Sequence, residues 1–116
     1  HGEQAVDEIE AAYVRNRGRS AEEMRAVLTA FSVHGRSGRP QLRDRIVKSY
    51  GIVLQFHPQA AGLIAADLTQ WEQWNHTEDV AEILRNKKLT FQTSDLKVMR
   101  GYLTTAERRT SKPIGR

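Results

Sequence analysis

The sequence predicts an all-α fold, a compact single domain of five to six short helices, on three observations. Apolar residues recur at three- and four-residue spacing along most of the chain. Helix start signals stand in front of these stripes. Only one short stretch, Ile52 to Phe56, has the β-branched apolar character of a strand. A lone strand has nothing to pair with, so that stretch is expected as a buried extended connection.

From Glu3 to Val14, Ala5, Ile9 and Ala12 or Tyr13 mark a first amphipathic helix that ends near Gly18. Ser20 opens a second, with Glu23 three residues on in the capping-box arrangement, and Met24, Val27, Leu28 and Phe31 form the cleanest apolar stripe in the chain. The run His34 to Pro40, with two glycines and a proline, is expected as a seven-residue loop. Pro40 suits the first turn of a third helix, because the N–H it lacks is unpaired there in any residue. Leu42, Ile46 and Tyr50 give that helix its inner face, and Gly51 is its expected C-terminal cap.

Pro58 is expected to start a fourth helix with Ala61, Ile64, Leu68 and Trp71 on one face. Thr77 is the expected cap of a short fifth helix carrying Val80, Ile83 and Leu84, which ends at Asn86-Lys87-Lys88. Thr93 or Ser94 starts a sixth, with Leu96, Met99, Leu103 and Ala106 in register. Residues 1–109 are thus expected as a helical domain and 110–116 as a flexible basic tail. With His rather than Met as its first residue, the chain is expected to be a piece of a longer protein.

Composition bounds the function. The chain of 116 residues buries about 65% of its unfolded surface, enough for a core without staples. Without cysteine it has neither disulfides nor thiolate chemistry. Its longest apolar run with no charge, Gly51 to Ala66, is interrupted by Gln55, His57, Pro58 and Gln59, so neither a membrane span nor a signal peptide is read. The expected setting is inside the cell, in cytoplasm or nucleus.

Charge is segregated rather than uniform. The formal net charge is +4, but residues 1–14 carry −4, residues 15–50 carry +6, residues 51–84 carry −5 and residues 85–116 carry +7. Arg36, Arg39, Arg43, Arg45 and Lys48 fall in the glycine-rich run and the start of the third helix, a composition suited to gripping phosphates. Lys87 and Lys88 offer a second contact. The competing explanation is that blocks of opposite sign neutralise one another between helices, with pairs such as Asp44 and Lys48 solvated.

A helix-turn-helix with Pro58 to Trp74 as reader is disfavoured, because no Lys or Arg lies between Lys48 and Arg85. The better placement supports the reader Gln41–Tyr50 on the second helix and turns Gln41, Arg45 and Lys48 outward, although a seven-residue loop is long for that motif. Gly38-Arg39-Pro40 shares its core with minor-groove hooks but lacks the flanking base, and a proline at a helix start explains the same residues. Single-strand stacking is disfavoured because Trp71 and Trp74 stand in the acidic block, away from the bases.

No catalytic or metal pattern is present. None of His1, His34, His57 and His76 is spaced to share a helix face with another, and there is no phosphate-cradling glycine loop and no nucleophile elbow. Glu78, Asp79 and Glu82 stabilise a helix start, and His57 is expected in a structural role. Arg108-Arg109-Thr110-Ser111 has the shape of a basophilic kinase target. The expectation is a non-enzymatic domain without cofactor or metal that binds nucleic acid, DNA before RNA. The alternative is a protein-interaction or self-association module using Leu63, Trp71 and Trp74 within the acidic segment 51–84.

Overall fold

The computed structural model describes residues 2–110, Ser37 by its backbone alone. It is all-α: helices α1 (Gly2–Ile9), α2 (Ala21–Ser37), α3 (Pro40–Phe56), α4 (Ala61–Gln70), α5 (Thr77–Arg85) and α6 (Thr93–Thr110), with no strand among the described residues. A π-helical turn, Glu10–Val14, continues α1, and a 3₁₀ turn, Pro58–Ala60, follows α3. The chain forms two compact units, His1–Ala60 and Ala61–Arg116. Thr110, expected to begin the tail, is the last residue of α6, and the rest of that tail lies outside the described residues.

In the first unit the capping box forms as the sequence predicts. The Ser20 hydroxyl accepts from the Glu23 N–H at 3.1 Å, and the Ser20 N–H donates to the Glu23 carboxylate at 2.9 Å. That backbone bond, helped by Arg19, holds the Glu23 carboxyl below its usual range. The stripe Met24, Val27, Leu28 and Phe31 is buried, and the Phe31 ring meets Tyr50 of α3 at 6.2 Å.

Four local expectations are corrected here. The buried face of the first helix is Val6, Glu10 and Val14, not Ala5, Ile9 and Ala12. The π turn, closed by the Arg15 N–H on the Glu10 carbonyl at 3.0 Å, carries Val14 into line with the other two. The seven-residue loop shrinks to Gly38 and Arg39, because α2 runs on through Gly35, which is itself buried. Gly38 is the residue that permits so short a turn. A Cβ there would lie 2.5 Å from the His34 carbonyl oxygen, whereas the glycine N–H bonds that oxygen at 2.8 Å.

Gly51 does not end α3, and Ile52 to Phe56 is neither strand nor connection but its last turns. Val53 and Leu54 continue the inner face of Ile46, Val47 and Tyr50, and this burial outweighs the weak strand preference of branched residues. The helix stops at His57 because Pro58 disfavours helical backbone in the residue before it. His57 is buried and structural, its Nε2 3.0 Å from the Val14 carbonyl at the end of the π turn.

In the second unit α4 lies along α6 in the same direction. Gly62 faces Asp95 near the two helix starts, and the Tyr102 hydroxyl donates to the Gln73 carbonyl at 2.7 Å beyond the end of α4. Ala61, Ile64, Leu68 and Trp71 are buried, as their spacing predicts. Helix α4 ends in a Schellman motif: Gln73 N–H bonds Leu68 O at 2.9 Å, Glu72 N–H bonds Thr69 O at 3.2 Å, and Glu72 takes the left-handed conformation, φ 55°. The N-cap of α5 is His76 rather than Thr77, and no side-chain hydrogen bond caps it.

Candidate nucleic-acid interface

The site begins with the two-residue turn. Helices α2 and α3 fold back on one another as a hairpin, and the turn brings the last residues of α2 next to the N-terminus of α3. Pro40 stands in the first turn of α3 as predicted, behind Arg39 as N-cap. Arg39 offers no side-chain cap, and no acid lies in the first turn. The positive end of a 17-residue helix is therefore left without a carboxylate of its own.

The basic residues of this region divide into two sets. Arg36 and Arg39 are exposed at the corner, and Arg36 makes only a long 3.4 Å hydrogen bond to the Ser32 carbonyl. Lys48 is exposed about 12 Å along α3, on the outer face that also carries Gln41 and Asp44. Asp44 and Lys48 form no ion pair with each other among the described residues.

Arg43 and Arg45 are committed to the fold. Arg43 is half-buried, and its Nε donates to the Gly35 carbonyl at 2.8 Å, with an Nη2 contact to the Arg36 carbonyl at 3.5 Å. It thus satisfies the last carbonyls of α2, where a cation also suits the helix dipole. Arg45 turns toward α1. Its Nη2 lies 2.7 Å from the Asp7 carboxylate and 3.0 Å from Glu10, and its Nε donates to Asp7 at 2.9 Å. Burial lowers the Arg45 pKa, but its hydrogen bonds to the Asp7 and Glu10 carboxylates, with their charges, outweigh that and the net shift is upward. Glu10 also meets Arg15 Nε at 3.3 Å, so a carboxylate only 8% exposed as a residue lies between two guanidinium groups.

Two further arginines were passed over by sequence reasoning. The Arg17 guanidinium lies 4.3 Å from the centre of the Phe56 ring, and that of Arg19 lies 4.4 Å from Tyr13 while pairing with Glu23 at 3.1 Å. The signal that finds such contacts, an arginine in a turn beside distant aromatics, is not local in the sequence.

The remaining candidates lie in the second unit. Lys87 and Lys88 are exposed after α5, in a turn where the Asn86 side chain accepts from the Lys88 N–H at 3.0 Å. Of the alternative interaction residues, Leu63 is 41% exposed, whereas Trp71 is 7% exposed and belongs to the core. Trp74 is half-buried, stacked on Tyr102 at 5.4 Å and packed with Leu103 against Ala81 and Ala106. Trp71 and Trp74 thus both pack within the second unit.

Among the described residues no three His, Asp or Glu side chains gather into a metal site, and no helix is long and apolar enough to cross a membrane. Of the kinase-like string, the Thr110 hydroxyl is bonded to the Ala106 carbonyl at 2.7 Å, and Ser111 lies outside the described residues. No family model matches this chain, and none of the curated proteins or solved structures compared with it is similar.

Proposed function

We propose that the α2–α3 corner grips phosphates and that the domain binds nucleic acid through it, as a non-enzymatic part of a longer protein. One observation carries this reading: Arg36 and Arg39 stand exposed beside a helix N-terminus that has neither a side-chain cap nor an acid in its first turn. Guanidinium groups beside the positive end of a helix are a chemistry that holds a phosphate, here with the Gln41 N–H, since Pro40 has none and the Leu42 and Arg43 N–H groups bond the Arg39 carbonyl. Lys48 extends the surface along α3. Duplex DNA is favoured over RNA because an exposed helix fits the major groove of B-DNA, while that of A-form RNA is too deep and narrow. Arg43 serves here by fixing the corner, and Arg45 takes no part while Asp7 and Glu10 hold it.

Fluorescence-anisotropy titration of duplex DNA, single-stranded DNA and RNA over a salt series tests this. The variant is Arg36→Ala/Arg39→Ala, since neither side chain supports the fold. Binding to the duplex is expected to weaken in the variant, with the slope of log K against log salt shallower by about 1.8, roughly 0.9 per lost phosphate contact. Absence of binding by the wild-type protein at low salt would overturn the reading. Attention would then pass to Leu63 and a protein partner.

A further inference from the structure

Every charged group on α1 is acidic: Glu3, Asp7 and Glu8, with Glu10 in the turn that follows. Two of these carboxylates close on a single side chain of α3, across 38 and 35 residues of sequence. That side chain, Arg45, lies on the flank of α3 that borders the exposed Gln41–Lys48 face. Its side chain is 18% exposed, while that of Asp7 is 62% exposed. One gatekeeper carboxylate therefore sits at the surface and the cation it holds sits behind it. Arg43 on the Gly35 carbonyl cancels no charge. The pair with α1 does, and it removes one of the three bases of α3, Arg43, Arg45 and Lys48.

We propose that α1 is a built-in competitor for the nucleic acid: Asp7 occupies the outer edge of Arg45 as a phosphate would, and withdrawing Asp7 frees the Arg45 Nε to join the binding surface while Glu10 keeps its bond to Nη2. The proposal rests on the nucleic-acid reading of the corner. A single Asp7 oxygen, Oδ1, accepts from both Nε and Nη2 and covers the guanidinium edge that a phosphate oxygen would bind, so the two anions exclude each other. Bringing the duplex against this flank requires exchange of one for the other, and α1 sets an affinity ceiling.

The test compares wild type, Asp7→Asn and Glu8→Gln, each as the full chain, titrated with one short DNA duplex over a salt series. Glu8 is exposed on the same helix and makes no ion pair among the described residues, so Glu8→Gln matches the change in charge without touching Arg45. Asp7→Asn is expected to bind more tightly and to steepen the salt slope by up to about 0.9, one added phosphate contact. Adding Arg45→Ala is expected to erase that gain. Equal gains in Asp7→Asn and Glu8→Gln would mean that only overall charge matters and would overturn the proposal, as would no gain in Asp7→Asn. If wild type and both variants all fail to bind, the nucleic-acid reading falls and takes the proposal with it. Binding by wild type with no response to Asp7→Asn overturns the proposal alone.

Discussion

The two compact units are held together by different means. In His1–Ala60, helices are tied by charged and polar side chains reaching across: Arg45 to Asp7 and Glu10, Arg43 to the end of α2, and His57 to the Val14 carbonyl. In Ala61–Arg116, α4 and α6 approach through small residues and aromatics, with Gly62 against Asp95, Ala65 and Ala106 buried, and Trp74 on Tyr102. The difference changes how charge in a sequence should be read. A block of nine bases in residues 15–50 resembles a binding surface, yet Arg15, Arg17, Arg19, Arg43 and Arg45 all have fixed duties inside the fold. What is left exposed is a smaller set, Arg36, Arg39 and Lys48, with Arg25 nearer the start of α2.

The sharpest way to break this comparison is Arg45→Ala. It leaves Glu10 nearly buried with only the exposed Arg15 opposite, and removing one partner of a buried pair costs about 3 kcal/mol. A urea melt is expected to show that loss. The double variant Glu10→Met/Arg45→Met, which removes both charges and keeps the volume, is expected to recover most of it. If Arg45→Ala unfolds at the wild-type urea concentration, the first unit is not held by charge and the contrast fails.

Two glycines test the close approach of helices inside the second unit. An alanine Cβ at Gly62 would lie 2.5 Å from Asp95 Oδ1 and 2.8 Å from Asp95 Cβ, so the whole Asp95 side chain has to move. Gly62→Ala is expected to destabilise by about 1–3 kcal/mol, the cost of overpacking, despite the better helix propensity of alanine. Gly101, in the middle of α6, meets nothing within 4 Å of such a Cβ. Gly101→Ala is therefore expected to stabilise by about 0.5–1 kcal/mol. Thermal melts of the two variants test the contrast, and equal shifts would show that α4 and α6 are not in close contact at Gly62.

These cases also show how far the sequence reaches. The capping box, the Met24–Phe31 stripe, Pro40 at a helix start and the inner face of α4 were legible because each is local, set by spacing within one helix. The face of α1 was not, because a buried glutamate interrupts it: Val6, Glu10 and Val14 form a stripe only once Arg45, 35 residues away, neutralises the middle member. Helix α2 ran past Gly35, and α3 past Gly51, because burial on neighbouring helices overrode residue preference. At the candidate site the corner arginines were legible as a cluster. Which of them are engaged was not, since Arg43 and Arg45 are spent on carbonyls and carboxylates that spacing cannot reveal. A binding test by Arg39→Ala/Arg43→Ala would thus have confused a lost contact with a loosened turn.

Tyr102 gives the finest test, because its hydroxyl is a polar tie between α6 and the end of α4, less exposed than the Arg109–Glu72 ion pair at 3.0 Å. Its ring is buried against Trp74 and its hydroxyl donates to Gln73 O at 2.7 Å. Burial pushes its pKa up to about 12, with the Asp79 carboxylate adding to the rise and the His76 backbone opposing it. The unfolded chain ionises near pH 10, so the folded state binds the proton more tightly and is favoured below that pH. The resulting contribution to stability is full below about pH 10 and is lost as pH rises through about 12. Tyr102→Phe removes the hydrogen bond and is expected to cost about 1 kcal/mol at neutral pH, while the packing against Trp74 is kept. Urea melts at pH 8 and pH 11 on both proteins separate the two effects. The wild type is expected to lose more stability than the variant between those values, since the variant has no phenol to ionise at that position. Equal losses would show that the hydroxyl is as solvated in the folded protein as in the unfolded chain, and that the second unit, unlike the first, leaves this polar group to water.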